Sequence, residues 1–317
     1  MTTFKEIRGT AIQSVSSDPT NPETGQIWYN NTIGVLKGYT LVAAAWSTGG
    51  NLGTGRIRLG GAGTQTAGLG FGGDSPPSTG LTATEEYDGA AWAAGGSMSQ
   101  QRGNMYSGGT QTAAFGAGGY RQPGSTFGGT EEYDGSAWSP GGSLGTARYS
   151  GAGAGTQTAG LAFGGTTSNL TEEYDGSSWT AGGNMGTARY RLAGFGLQTA
   201  AIAAGGGTPS VTAATESYNG TSWTAGGNLN TARRSLAGAG TQTLGLAFGG
   251  EAPPGALTES WNGTSWTNSP NGLGVGRGNF AGCGTQPAAL AFGSGPAGNS
   301  TEEWNGPSLQ TKKITTS

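Results

Sequence analysis

Polar and apolar positions in this chain fall into short runs that recur. From Tyr149 to Ala154 small residues alternate, Ala159-Gly-Leu-Ala-Phe163 is an apolar run, Thr171 to Tyr174 alternates again, and Ser178-Trp179-Thr180 follows. Between these runs stand Gly155-Thr-Gln-Thr, Gly164-Gly165 and Asp175-Gly176, the residue types that tight turns and Asp-Gly hairpins require. Short runs with period-two alternation and turn signals between them predict four β-strands in one antiparallel sheet. Such a sheet cannot bury its faces alone, so neighbouring units must stack.

The unit occurs six times. Trp46, Trp92, Trp138, Trp179, Trp223 and Trp266 mark outer strands at intervals of 46, 46, 41, 44 and 43 residues. Thr-Gln-Thr begins at Thr64, Thr110, Thr156 and Thr241, with Leu197-Gln-Thr and Thr285-Gln-Pro as variants. Glu-Glu-Tyr-Asp-Gly begins at Glu85, Glu131 and Glu172, and relaxed forms begin at Glu216, Glu259 and Glu302. A period of about 44 residues with four strands per unit is that of a β-propeller blade. The sixth unit has Leu309 where its Trp should stand, whereas Trp46 has no unit before it. The segment from Ala44 to Ser47 is therefore expected to supply the outer strand of the sixth blade and to remove the open edge.

Composition sharpens this picture. Gly and Pro number 67 and 13, a share that signals disorder when it lacks a period; here the glycines fall at strand ends and turns. The chain has no His and one Cys, Cys283, which removes His-based metal sites, Ser-His-Asp triads and intrachain disulfides. With 15 basic and 18 acidic residues and no basic block, no nucleic-acid footprint is expected. No apolar run is long enough for a membrane helix, and Glu6 and Arg8 stand where a signal peptide needs apolar residues. Cys283 occupies the place of Ala154 and Ala239 and reads as a small buried residue.

Double Gly after an apolar strand, Tyr nine residues on and Trp five further (Gly164-Gly165, Tyr174, Trp179) resemble the Kelch repeat, over residues 46 to 309. The resemblance implies an all-β, six-bladed propeller. Gly293-Ser294 and the replacement of Tyr by Trp261 and Trp304 depart from its pattern. Asp-Gly-x-x-Trp also resembles the Asp-box of sialidases, but without the residue between Asp and Gly, and it reads as turn chemistry. No carboxylate pair stands outside the repeat, so no catalytic residue, metal or cofactor is expected.

Repeated residues have structural readings. The six Trp pack between blades. Arg102, Arg148, Arg189, Arg233 and Arg277, with Arg56 or Arg58 in the first blade, would ring one mouth of the channel, where Glu85, Glu131, Glu172, Glu216, Glu259 and Glu302 can pair with them. Gln65, Gln111, Gln157, Gln198, Gln242 and Gln286 ring the opposite face and would satisfy turn backbone groups. Connections between second and third strands differ in every blade and share one rim, as a binding surface would; loops free of constraint would also vary. Asp74, Tyr120, Arg121, Gln122, Asn169, Glu251 and Asn299 are the candidate contact residues.

Residues 1–38 lie outside the repeat, and residues 310–317 read as a tail after a propeller over 39–309. Gln26-Ile-Trp-Tyr-Asn30 and Val35-Leu-Lys-Gly38 suggest a hairpin. Pro22-x-x-Gly-Gln-Ile-Trp-Tyr-Asn30 followed by Gly34-x-Leu-Lys37 resembles N-terminal segments of virion structural proteins of marine tailed bacteriophages. It implies a non-enzymatic particle component, assembled in a host cytoplasm in multiple copies. Phe4, Ile7, Ile12, Ile27, Trp28 and Tyr29 would dock on other virion proteins, and the propeller would attach to a host-surface glycan or protein. A decoration protein of head or tail, or a cellular Kelch-type scaffold, are the alternatives.

Overall fold

The computed structural model describes residues 12–75, 79–121, 124–251, 255–294 and 298–314. The described residues are all-β and contain no helix. They divide into two compact units, Ala45–Asn305, and the chain up to Ala44 taken together with the chain from Gly306.

Ala45–Asn305 contains six four-stranded antiparallel sheets among its described residues. The third is made of Ala152–Thr156, Ala159–Phe163, Thr171–Tyr174 and Trp179–Ala181, with Ala154 opposite Leu161 and Tyr174 opposite Trp179. The first strand continues to Thr156, so its turn is tighter than Gly155-Thr-Gln-Thr suggests. In the sixth sheet Ala281–Gly284, Ala288–Phe292 and Thr301–Asn305 are completed by Ala45–Thr48, with Trp46 opposite Trp304. The segment expected from the repeat count to close the last sheet occupies that position.

First strands lie side by side in chain order. Gly60–Gly63 lies against Tyr106–Thr110, followed by Ala152–Thr156, Ala193–Leu197, Ala237–Gly240 and Ala281–Gly284, and the last lies against Gly60–Gly63 again. Glycine permits this approach. A Cβ on Gly153 would stand 2.3 Å from the Ser107 carbonyl oxygen, and one on Gly194 would stand 2.6 Å from the Phe163 ring.

The repeated aromatics join each sheet to the one before. Indole Nε1 atoms of Trp92, Trp138, Trp179, Trp223 and Trp266 donate to Oγ1 of Thr301, Thr84, Thr130, Thr171 and Thr215 at 2.8–3.0 Å. Trp46 donates likewise to Thr258 at 2.9 Å. Their rings pack on Phe292, Phe71, Phe115, Phe163, Phe195 and Phe248 respectively. Fourth-sheet Ala204 stands where its neighbours have Phe, and Phe195 of the first strand fills the space instead.

The glutamines correct an expectation. Their Nε2 atoms donate across to the preceding sheet: Gln157 to the Ala114 and Tyr133 carbonyls at 3.1 and 2.8 Å, and Gln111 to those of Gly68 and Tyr87 at 3.1 and 2.7 Å. They staple sheet to sheet, because an extended side chain leaving a tight turn reaches the neighbouring strand ends. Cys283 is buried, and burial pushes its thiol up to about 12.

Tyr87, Tyr133, Tyr174 and Tyr218 are fully buried and donate to Glu303, Glu86, Glu132 and Glu173 of the preceding sheet. Burial first, and the carboxylate second, pushes each phenol up to about 12. A folded pKa above the unfolded value of about 10 gives stability that is complete below pH 10 and lost as pH rises toward 12. Urea denaturation between pH 9 and pH 12 should show a falling midpoint, and Tyr174→Phe should flatten that fall while lowering stability at pH 8.

The other unit is a single sheet ordered Gln13–Val15, Ile27–Asn30, Val35–Val42 and Ser308–Lys313. Its first pair is parallel and the others antiparallel. The expected hairpin is present, with Ile27 opposite Gly38 and Asn30 opposite Val35. Residues read as a tail from 310 are instead part of a strand, because Val35–Val42 runs beyond Gly38 and offers Ser308–Lys313 a full ladder. Asp18 accepts hydrogen bonds from Lys37 Nζ at 2.5 Å, Asn30 Nδ2 at 2.9 Å and Trp28 Nε1 at 3.1 Å. Lys37 above all, with Asn30 and Trp28, lowers its carboxyl to about 2.

Candidate binding face

The six repeated arginines are 0–4% exposed. Each forms an ion pair inside its own repeat: Arg56–Glu85, Arg102–Glu131, Arg148–Glu172, Arg189–Glu216, Arg233–Glu259 and Arg277–Glu302. The pairing read from the sequence is therefore present, and a mouth ringed by these six cations is not. Desolvation lowers the guanidinium of Arg102 to about 10. Each Glu also accepts a backbone N–H from the loop before its Arg, as Glu172 does from Gly145 at 2.6 Å and Glu216 from Gly186 at 2.7 Å. A bidentate carboxylate that holds both an arginine and a loop amide explains why both residue types recur.

Two positions after each arginine the backbone turns left-handed. Arg58, Asn104, Ser150, Arg191, Ser235 and Asn279 have φ between 52° and 61°, a region that Asn tolerates and most residues avoid. Each donates its N–H to the carbonyl of the equivalent residue one repeat earlier, at 2.6–3.0 Å, and Arg58 donates to Asn279. Six hydrogen bonds thus form a closed circle, which holds six side chains around the mouth of the channel.

Those side chains rim a cavity of about 150 Å³ whose apolar lining includes Leu59, Met105, Leu192, Leu236 and Phe280. Charge and hydrogen bonding are uneven around it. Glu251, on the connection after the second strand of the fifth sheet, accepts from Arg234 Nε at 2.9 Å, Ser235 Oγ at 2.9 Å, Asn279 Nδ2 at 2.8 Å and an Arg191 guanidinium nitrogen at 3.3 Å. Arg234 also donates to the Tyr190 hydroxyl at 3.1 Å. In the other half Arg58 pairs with Asp74 at 3.3 Å.

The contact residues expected from sequence meet different fates. Asp74 is 3% exposed and pairs in a bridge with Ile57, so it positions Arg58 instead of meeting a partner at the surface. Asn169 is half-buried and its Nδ2 donates to the Met185 carbonyl at 2.9 Å, which makes it a loop anchor. Asn299 is half-buried, and its carbonyl accepts from Leu52. Tyr120 is half-buried with its ring 5.1 Å from that of Tyr149, and Arg121 lies 5.4 Å over Phe127. Glu251 belongs to the mouth, and Gln122 lies outside the described residues. Of the expected docking residues, Phe4 and Ile7 lie outside the described residues. Trp28 is fully buried and held by Asp18, which corrects its assignment as a docking residue. Ile27 is half-buried, and Ile12 and Tyr29 are exposed.

Sequence reasoning missed Asn104, Ser150, Arg191, Ser235 and Asn279. Their signal was available: in Arg-x-y the arginine is constant, whereas y reads Arg58, Asn104, Ser150, Arg191, Ser235 and Asn279. Among the described residues no cluster of three or more Cys, Asp or Glu could hold a metal ion. No family model matches the chain, and no curated protein matches it.

Proposed function

We propose that Ala45–Asn305 is a closed six-bladed β-propeller of Kelch type in a structural component of a tailed-phage particle, and that its variable face attaches to a host-surface glycan or protein. The observation that carries attachment is the difference between repeated and non-repeated side chains. Repeated Trp, Tyr, Gln, Arg and Glu are taken up by bonds within and between the sheets, whereas non-repeated polar side chains collect around the mouth. A rigid ring that spends its regular residues on its own closure keeps its irregular ones for a partner. The six-membered circle of backbone hydrogen bonds supports six blades, and the pairing of Ala45–Thr48 with Thr301–Asn305 supports closure by the chain's two ends. The phage setting rests on the resemblance of Pro22 to Lys37, with the separate sheet up to Ala44 as the part that joins the particle.

Virions carrying Thr-Gly-Ser-Gly in place of residues 166–169 and Gly-Ser-Gly in place of 208–210 test attachment. Adsorption to host cells should fall at least tenfold through loss of many weak contacts, with normal amounts of the protein in the particle. Unchanged adsorption would reject attachment and leave decoration as the function.

A further inference from the structure

We infer that the half of the channel mouth built by the first three repeats is a pocket for one neutral sugar unit, a hexose or N-acetylhexosamine; this deepens the attachment reading and rests on it. The two halves of the mouth differ in what they leave unbonded. Around Arg191, Ser235 and Asn279, Glu251 takes up one donor from each. Around Arg58, Asn104 and Ser150 nothing comparable exists. Ser150 lines the cavity, and its hydroxyl has no hydrogen-bond partner among the described residues. The Asn104 carboxamide lines the same wall without a partner among them. Arg58 lines the wall as well, and its guanidinium pairs with Asp74 at 3.3 Å. Polar groups of a cavity wall that bond to no protein atom are free to bond to a ligand.

Chemistry selects the ligand. The wall offers a guanidinium donor, a carboxamide that both donates and accepts, and a hydroxyl that does both, which is the pattern that sugar hydroxyls match. Leu59 and Met105 line the same cavity and add an apolar contribution suited to the C–H face of a pyranose. Charge argues against an acidic sugar. Arg58 is offset by Asp74, and Glu251 already holds Arg191 and Arg234, so little unpaired positive charge faces the cavity. The whole cavity, about 150 Å³ and lined from all six repeats, has room for one ring held against this half, and the rest of a glycan would run out over the loops.

The full-length protein, titrated with D-glucose, D-galactose, D-mannose, N-acetyl-D-glucosamine and D-glucuronate and followed by calorimetry and ligand-observed NMR, tests this. One neutral sugar should bind saturably with millimolar affinity, and glucuronate should bind more weakly. Ser150→Gly and Asn104→Gly remove the bonding groups while suiting the left-handed backbone, so each should keep the fold and weaken that sugar about tenfold. Ser235→Gly, in the satisfied half, should leave sugar affinity unchanged. No saturable binding of any neutral sugar at tens of millimolar, tighter binding of glucuronate, or full affinity in both variants would overturn the pocket. If sugar binding and its loss are seen while both Ser150→Gly virions and the loop-replaced virions adsorb normally, the pocket stands and attachment falls. If the loop-replaced virions lose adsorption and no sugar binds, attachment stands and the pocket falls.

Discussion

Substitution of Gly153 by alanine is expected to abolish the folded unit. The added Cβ would meet the Ser107 backbone, 2.3 Å from its oxygen and 2.6 Å from its nitrogen. No rotamer relieves a clash with main chain, and both strands are held by ladders on their other side. The strands must therefore separate where six of them close a circle, and the loss should exceed about 4 kcal/mol, as for the severest single substitutions. Gly128→Ala provides the contrast, because its new Cβ would make ordinary contact with Ala147 at 3.4 Å; its effect should stay within about 1 kcal/mol. Urea denaturation followed by tryptophan fluorescence measures both. A Gly153→Ala protein with wild-type stability would show that the inner strands are not packed as described.

Arg189→Leu should be nearly as damaging through electrostatics. Arg189 is 1% exposed, pairs with Glu216 at 2.7 Å, and also donates to the Gly205 and Ala214 carbonyls at 2.9 and 2.7 Å. Removing the cation leaves a buried carboxylate with only the Gly186 amide at 2.7 Å, a situation that costs about 3–5 kcal/mol. The sign with pH follows. An unpaired buried carboxyl titrates above its unfolded value of about 4.3, so its folded form is favoured below that pH and penalised as pH rises. The deficit of Arg189→Leu should be largest near pH 7 and smaller near pH 4. Arg189→Leu combined with Glu216→Gln should recover part of it at pH 7. A deficit independent of pH would mean that lost packing and carbonyl bonds, and not the stranded charge, dominate.

Much of the fold was legible in the sequence because its cause is local and repeated. Alternation over four or five residues, Gly-Gly after the apolar strand and Asp-Gly before the outer one define strands and turns without reference to distant parts of the chain. Trp46 without a unit before it, and Leu309 where a Trp was due, were enough to anticipate that the segment from Ala44 to Ser47 supplies the outer strand of the sixth sheet, where Ala45–Thr48 pairs with the strand Thr301–Asn305. The Arg–Glu pairs were legible as well, since equal numbers of opposite charges begin strands on one face. The glutamines were misread because their partners lie some 24 and 43 residues away, where no local pattern shows them.

The candidate site was less legible. Asp74 and Asn169 resemble surface residues by type and loop position, yet a neighbouring arginine or carbonyl draws each inward. Trp28 resembles a docking side chain, yet Asp18, ten residues earlier, caps its indole. The sequence by itself determined that the chain makes six like sheets and which residues hold them together, because each repeat carries the same short-range chemistry. Only the tertiary structure decided which side chains surround the cavity. Arg58, Asn104, Ser150, Arg191, Ser235 and Asn279 are separated by 41 to 46 residues in the chain, and a circle of backbone hydrogen bonds brings them to one mouth. The difference in hydrogen bonding between its two halves depends on where Glu251 reaches.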